Sequence, residues 1–257
     1  MLSPKVIISL LAVLFCCCNN YTEQDKAIES DTDNNFEITK DTLPTAKKFP
    51  AYSLYGIDVS HYQGEIDWDL LLDTYNIDFV MVRVGTGHSD PQRAERNFSK
   101  NWNALAEKKI AKGAYYAFYP NVGAEKQAQY FIDSVKLTTG DLPPVIDVER
   151  ADRNSSKLMD DVYKWLQIIE AHYGVKPIIY TGSNFYGKHF KDDNRFADYP
   201  LWIANYSQPE GSTFSIGPQM KFWQISDKDS LAGIEANVVD VDAFCGTPEE
   251  MEALLIK

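Results

Sequence analysis

The sequence predicts an α/β fold, namely an irregular TIM-like (β/α) barrel of eight strands with helices missing after the later strands. Eight short apolar runs of strand length recur between residues 54 and 244. Helical patterns separate the earlier runs, and strands alternating with helices are typical of βαβ units and a parallel sheet. Eight strands in a segment of this length favour a closed barrel over an open sheet.

The predicted strands cover residues 54–59, 79–84, 114–118, 145–149, 177–180, 201–204, 222–225 and 238–244. The predicted helices cover 68–75, 94–109, 124–135 and 158–173. Beyond residue 180 the helical pattern fades, so 183–195 and 208–219 are predicted as loops. A final helix is predicted from Thr247, because Thr247, Pro248 and Glu250 match an N-cap, a first-turn proline and a capping box.

The first fifty residues are predicted to lie outside the barrel. Residues 1–18 resemble a lipoprotein signal, because an apolar run too short to span a bilayer leads into Cys16, Cys17 and Cys18. Cys17 is the predicted lipidation site, with Cys16 and Cys18 as alternatives, and an ordinary cleaved signal is the other interpretation. Residues 19–50 are acidic and poor in large apolar residues, which predicts a flexible tether. The folded domain is predicted to occupy 51–257.

This organisation predicts a protein of the bacterial cell envelope that is either lipid-anchored, on the periplasmic or surface face of the outer membrane, or secreted. The formal charge of −12 argues against a nucleic-acid partner, because phosphate binding needs clustered Lys and Arg. The sequence has neither a glycine-rich phosphate loop nor a Cys/His ligand set, so no cofactor and no metal is predicted. A monomer is expected.

Two acids at the end of the fourth predicted strand, Asp147 and Glu149, are the first candidates for catalysis. Successive side chains of a strand point to opposite faces, so these two share one face while Val148 occupies the other. A close carboxyl pair resists double ionisation, so one member tends to keep its proton near neutral pH, as general-acid chemistry requires. The alternative is a structural strand end whose acids form ion pairs with Lys or Arg.

In a barrel of this type the active site lies at the carboxyl ends of the strands. The polar residues predicted there are Asp58, Arg83, Tyr116, Asp147, Glu149, Tyr180, Asn205, Gln224, Asp240 and Asp242. Aromatic residues at neighbouring strand ends suit the apolar faces of sugar rings, or else fill the core. They are Tyr62, Tyr115, Tyr119, Trp202, Tyr206 and Trp223. Acids from three strands beside aromatic rings predict a carbohydrate-cleaving site.

Several motifs occur in a fixed order along this domain. They are GIDVSHYQG at 56–64, IDW at 66–68, KGAY at 112–115, PVIDVE at 144–149, IYT at 179–181, LWIANY at 201–206, WQIS at 223–226 and VDVDAF at 239–244. In this order they resemble the glycoside hydrolase family 25 lysozymes, the Chalaropsis-type muramidases. The resemblance implies cleavage of the β-1,4 bond between N-acetylmuramic acid and N-acetylglucosamine in peptidoglycan glycan strands, with no metal or organic cofactor.

The resemblance places the family's catalytic acids at Asp58, Asp147, Glu149 and Asp240. It implies that Glu149 is the general acid, and that Asp147 orients the substrate's N-acetyl group or stabilises the charge that develops when its oxygen attacks the anomeric carbon. Asp58 and Asp240 would hold the sugar and support an oxocarbenium-like charge. A direct nucleophile and an inverting water stay open as alternatives. The predicted substrate-binding residues are Tyr62, Arg83, Tyr115, Tyr116, Tyr119, Tyr180, Trp202, Asn205, Gln224 and Asp242.

Three positions depart from the family pattern, and all three contact substrate in the family. Residues 85–87 read Gly-Thr-Gly in place of Thr-Glu-Gly, Tyr116 stands where His is frequent, and Asp242 stands where Asn is common. These departures leave the subsite preference open. The favoured function is a membrane-tethered muramidase. The alternatives are a non-catalytic glycan-binding lipoprotein on the same barrel and a hydrolase of another N-acetylated polymer such as chitin.

Overall fold

The computed structural model describes residues 39–87, 93–120, 122–151 and 155–257. The predicted signal, the cysteines at 16–18 and most of the predicted tether lie outside these residues. The described part of the chain forms a mixed α/β fold around a closed barrel of eight strands, which confirms the predicted fold class.

The sheet contains nine strands, one of which is a short addition to the barrel. Its strands are β1 (Tyr55–Val59), β2 (Phe79–Thr86), β3 (Arg93–Ala94), β4 (Ala111–Ala117), β5 (Val145–Asp147), β6 (Ile178–Gly182), β7 (Leu201–Ala204), β8 (Met220–Asp229) and β9 (Val239–Phe244). Their order is β1-β9-β8-β7-β6-β5-β4-β2-β3, and pairing of β1 with β2 closes the ring. Strand β3 pairs only with the end of β2, at residues 85–86.

The last strand runs against the rest of the barrel. Strand β9 pairs antiparallel with both β1 and β8, whereas the other neighbours in the ring are parallel. The expected all-parallel sheet is therefore wrong at β9, because β8 and β9 are joined as a long hairpin rather than through a helix. As a consequence, β9 presents its first residues, not its last, at the end of the barrel where the other strands finish.

The helices surround the barrel where the sequence has apolar residues at helical spacing. They are α1 (Pro44–Lys48), α2 (Trp68–Thr74), α3 (Phe98–Glu107), α4 (Ala124–Ser134), α5 (Ser155–Tyr173), α6 (Ser183–His189) and α7 (Pro248–Leu254). Helix α6 lies in the segment 183–195 that was predicted as a loop, so that prediction is wrong. The capping box predicted for the last helix is present. Thr247 Oγ1 accepts a hydrogen bond from the Glu250 amide, and Glu250 Oε2 accepts one from the Thr247 amide. Within the described ranges, no helix is long and apolar enough to cross a membrane.

Strand alternation divides the apolar residues into two cores. The outward-facing side chains of the barrel, such as Ile57, Val148 and Trp223, pack under the helices. The inward-facing ones, such as Phe79, Phe222 and Phe244, fill the barrel at the end where the parallel strands begin, and Met251 of α7 packs against this inner cluster. Tyr115, Tyr180 and Trp202 of the same cluster reach the opposite end of the barrel, where the polar side chains described below lie.

Residues 39–50 belong to the folded domain, which corrects the predicted end of the tether at residue 50. Leu43 is fully buried and Phe49 is nearly so, and both pack in the outer core. The Thr45 amide donates to Asp229 at 2.9 Å. Before α1, the amide of Asp41 donates to the Thr74 carbonyl at 2.7 Å, just below the start of β2. Residues 43, 46 and 49 are apolar at helical spacing, but this pattern covers only a few residues. It directly follows the acidic segment, so the sequence did not indicate that the fold begins there.

Candidate active site

Four carboxyl groups gather around one cavity at the open end of the barrel. Asp58 and Asp240 are direct partners in the antiparallel pairing of β1 with β9. Asp147 ends β5, and Glu149 follows two residues later on the same face. All four line a cavity of about 170 Å³. The structure therefore brings together the four acids that the sequence singled out, from three different strands.

Asp240 reaches this cavity because β9 is reversed. As the second residue of a strand that enters from the cleft end, it lies level with Asp58. Asp242 lies two residues deeper, is fully buried, and accepts a hydrogen bond of 2.8 Å from Trp202 Nε1. The prediction that Asp242 binds substrate is thus wrong, because it lies beneath the cleft floor rather than on it.

Gln224 of β8 connects the acids to the aromatic rim. Its Oε1 accepts hydrogen bonds from the hydroxyls of Tyr180 at 2.7 Å and Tyr206 at 2.5 Å. Its Nε2 donates to Asp58 Oδ2 at 2.6 Å and to Asp240 Oδ2 at 3.4 Å. Two hydroxyl donors on one side fix the orientation of the amide, so its N–H groups face the acids.

Burial raises the pKa of each of the four acids Asp58, Asp147, Glu149 and Asp240. It raises the pKa of Asp58 to about 7 and that of Asp240 to about 9, and the charge of each acid's neighbours adds to this. Burial raises the pKa of Asp147 well above its usual range, and the charge of Glu149 raises it further. Glu149 opens to solvent more than the others, yet the surrounding protein still raises its pKa. Closely spaced buried acids cannot all ionise, so the cluster retains protons near neutral pH.

Two arginines oppose this effect on one side of the cleft. The charges of Arg83 and Arg150 both lower the pKa of Asp147, whereas only that of Arg150 lowers the pKa of Glu149. Arg83 is itself held by Glu95, with 2.7 Å between Nε and Oε2. In the described part of the chain, no group of three or more His, Cys, Asp or Glu side chains has an arrangement that could hold a metal ion.

Seven of the ten predicted substrate-binding residues line the cleft, and three, namely Tyr116, Asn205 and the Asp242 described above, do not. Those that line it or the adjoining cavity are Tyr62, Arg83, Tyr115, Tyr119, Tyr180, Trp202 and Gln224. Tyr116 is fully buried in the outer core against Tyr130, so its predicted contact with substrate is wrong. Asn205 lies outside the lining, and its side chain accepts instead from the amide and hydroxyl of Ser207.

Several cleft residues were not identified from the sequence. His61 and Gln63 lie in a short 3₁₀ helix directly after β1, and Arg150 directly follows Glu149, so their positions beside predicted strand ends were a usable signal. Glu95 and Arg96 also line the cleft region. They follow the two-residue strand β3, and no sequence pattern indicates that this segment folds back onto β2.

Comparison with known proteins identifies the family. The model of "Glycosyl hydrolases family 25" matches residues 57–234. The protein YegX of Escherichia coli K12, described as uncharacterised, is 37% identical over 220 residues, covering 82% of this chain and 76% of YegX. Lysozyme M1 of Streptomyces globisporus is 28% identical over 215 residues, covering 77% of this chain and 70% of its own length.

A solved structure agrees with this assignment. The family 25 glycosyl hydrolase from Bacillus anthracis superposes with a TM-score of 0.70 at 28% identity, covering 80% of this chain and 95% of that one. The family resemblance noted in the sequence is thereby confirmed. Its motifs, its barrel and the acids at the mouth of that barrel all agree: the chain belongs to family 25 of the glycosyl hydrolases and is a glycoside hydrolase.

Proposed function

We propose that the protein is a peptidoglycan hydrolase, a lysozyme that cleaves the β-1,4 bond between N-acetylmuramic acid and N-acetylglucosamine. The observation that carries this proposal is the gathering of Asp58, Asp147, Glu149 and Asp240 around one cleft. Membership of family 25 and the similarity to lysozyme M1 support the substrate class. Paired carboxyls beside a sugar-sized cavity are the groups that glycosidic cleavage requires.

Glu149 is the general acid in this proposal. A general acid must reach the leaving oxygen and must still hold a proton at working pH. Of the four acids, Glu149 is the most open to solvent, so it has the freest access to a bound glycan. Its raised pKa extends the pH range over which it holds a proton. Arg83 lowers the pKa of Asp147 but not that of Glu149, so it offsets part of the rise that burial and the charge of Glu149 cause at Asp147.

The proposal assigns Asp147 the role of the charged partner that faces the substrate. A carboxylate beside the 2-acetamido group orients it, and it stabilises the positive charge that develops as the acetamido oxygen attacks the anomeric carbon. Asp58 and Asp240 share at least one proton, because both have raised pKa values and lie opposite each other. The pair thus presents a hydrogen-bond donor as well as negative charge to the sugar, and it supports an oxocarbenium-like transition state.

Aromatic rings at the mouth of the cleft suit a glycan strand. Tyr62 is 71% exposed and Tyr206 is 48% exposed, so a large part of each side chain is accessible to a ligand. Trp202 lies at the base of the cavity, where its ring packs at 4.4 Å from that of Tyr180. Exposed rings above a polar floor match a sugar, which has apolar faces and hydroxyl edges.

The test is turbidity loss of a purified peptidoglycan suspension. We expect the wild-type protein to clear the suspension and Glu149→Gln to be slower by about 10²–10⁴-fold, the usual scale for removing an acid catalyst. Glu107→Gln is the matched control, because Glu107 is exposed on α3 far from the cleft. A wild type that fails to clear the suspension would mean a non-catalytic glycan-binding protein, and equal clearing by wild type and Glu149→Gln would refute Glu149 as the general acid. Reducing-end analysis of the fragments separates cleavage after muramic acid from cleavage after glucosamine.

We further propose that a lipid on Cys17, or on Cys16 or Cys18, attaches the protein to a membrane of the cell envelope. The support is the sequence alone, namely the apolar run that leads into three consecutive cysteines. We expect a radiolabelled fatty acid to label the wild-type chain and not a variant with all three cysteines changed to Ser. The Cys245→Ser variant, altered at a cysteine within the barrel domain, is the control and should label normally.

A further inference from the structure

A second, larger cavity of about 480 Å³ adjoins the four acids. The two cavities share Tyr62, Arg83, Asp147 and Glu149 as lining residues, so they form one continuous trough. Glu149, the proposed acid, lies at their junction. A ligand whose scissile bond meets Glu149 in the smaller cavity therefore has its neighbouring groups in the larger one.

The larger cavity is rich in arginine, although the chain as a whole carries a formal charge of −12. Three of the chain's six arginines line it: Arg83, Arg96 and Arg150. Among the residues described around this cavity, none is a lysine, although the chain contains 19 of them. Arginine presents a planar fork of N–H donors that matches a carboxylate, whereas lysine offers only a point charge. The composition of this wall therefore indicates an anionic ligand with planar geometry.

Two of the three arginines have no carboxylate partner of their own in the described part of the chain. Arg83 is engaged by the carboxylate of Glu95, and His61 Nδ1 lies 3.0 Å from the same carboxylate. Arg96 is exposed and forms no ion pair with a described residue. Arg150 forms none either.

The ring of Tyr119 supports Arg150 from below. Its guanidinium lies 4.8 Å from the ring centre, an arrangement that leaves the N–H edges of the fork available. Arg150 and Arg96 thus supply two positive charges to the trough, and neither forms a direct ion pair with a described carboxylate.

We propose that this arginine-lined cavity binds the carboxylate-bearing substituent of a muramyl sugar beside the scissile bond. The inference rests on the proposed function. Muramic acid differs from glucosamine by a lactyl ether, whose carboxyl group is either free or linked to a short peptide with carboxylates of its own. Charge recognition by Arg96 and Arg150 would select such a sugar over the uncharged sugars of chitin. This role also explains why arginine side chains cluster around one cavity of an otherwise acidic protein.

The test compares three forms of one peptidoglycan preparation. The first is intact, the second has lost its peptides to an amidase and keeps the lactyl carboxylate, and the third has its carboxyls neutralised by carbodiimide coupling to methylamine. The variant is Arg96→Gln with Arg150→Gln. The control is Arg195→Gln, whose side chain pairs with Asp160 and Asp193 away from the cleft. For each pair, the substrate concentration at half-maximal rate is measured.

We expect the double variant to need about tenfold more intact substrate for half-maximal rate, because each lost charge-assisted hydrogen bond weakens binding severalfold or more. On the neutralised substrate, the wild type should need the same substrate concentration for half-maximal rate as the double variant. The value for the double variant should not change between intact and neutralised substrate. If the difference persists on the amidase-treated form, the site also binds a free lactyl carboxylate, and if it disappears there, the site binds a peptide carboxylate only. An equal loss on all three substrates would mean only an altered Glu149, because Arg150 lowers the pKa of that acid, and would overturn the inference.

A binding measurement keeps this inference separate from the proposed activity. The Glu149→Gln protein, with and without the two arginine changes, is sedimented with insoluble intact or neutralised peptidoglycan. We expect the arginine changes to release it from the intact form only, and added salt to have the same effect. Equal sedimentation with both forms would refute the arginine site even if the enzyme is active. A wild type that binds by charge but cuts nothing would refute the lysozyme proposal alone.

Discussion

The most informative single change is Asp58→Asn, because Asp58 is nearly fully buried and its titration is coupled to folding. Its pKa is 3.8 in the absence of the fold and about 7 within it, mainly through burial. Between these two values the folded state holds a proton that the unfolded state releases. The wild type therefore loses stability as the pH rises from about 4 to about 7, and the loss stays constant above that range.

The size of the effect follows from the same two values. A difference of about 3 pKa units corresponds to about 4 kcal/mol, at 1.36 kcal/mol per unit. The neighbouring acids share this penalty, since the charges of Asp147 and Glu149 contribute to the pKa of Asp58. We therefore expect Asp58→Asn to stabilise the protein at pH 8 by about 2 kcal/mol, or roughly 4–8 °C in Tm for a domain of this size. The new amide can still accept the hydrogen bond from Gln224.

The assay is thermal unfolding at several pH values between 4.5 and 8.5. Asp73→Asn is the control, because Asp73 is exposed on α2. The Tm difference between Asp58→Asn and wild type should be smallest at the lowest pH, grow as the pH rises, and level off above about pH 7. If the difference stays constant with pH, or the variant is less stable at pH 8, then burial does not hold the proton on Asp58, and the electrostatic account of the cleft is wrong.

Two further changes test the cleft and the domain boundary. Gln224→Met keeps the side-chain volume but removes the hydrogen bond that lowers the pKa of Asp58. We expect kcat to fall about 10–100-fold, which is the scale of one hydrogen bond to a charged group. We also expect the pH–rate profile to shift. Gln129→Met on the exposed face of α4 is its control, and an unchanged kcat would contradict a role for the amide. Leu43→Ala should cost about 2–5 kcal/mol in urea unfolding, because Leu43 is fully buried. An unchanged midpoint would mean that residues 39–50 are a tether after all.

The sequence carried enough information for the barrel and for the strongest part of the cleft. Apolar runs of strand length located the eight barrel strands, and the two-residue period placed Asp147 and Glu149 on one face with Val148 in the outer core. The same period should have excluded Tyr116, because Tyr115 points into the barrel and its neighbour must then point out.

Other features were beyond the reach of a local pattern. Strand direction leaves no trace in hydrophobic periodicity, so the reversal of β9, and with it the depth of Asp242, could not be read from the sequence. Glu95 and Arg96 reach the cleft through β3, a strand of two residues that exists only because it pairs with the end of β2. Long-range pairing of this kind is decided by the closed barrel as a whole.

The chain enters the barrel domain at the end opposite the cleft. Asp41 bonds to the chain between α2 and β2, at the end of the barrel where the parallel strands begin, whereas the acids lie where those strands finish. The first described residues, from Thr39, therefore lie at the end of the barrel opposite the four acids. Immobilising the protein through a group placed before Thr39 should leave the cleft accessible to substrate. The bead-bound enzyme should therefore cleave soluble glycan at the same rate as the free enzyme.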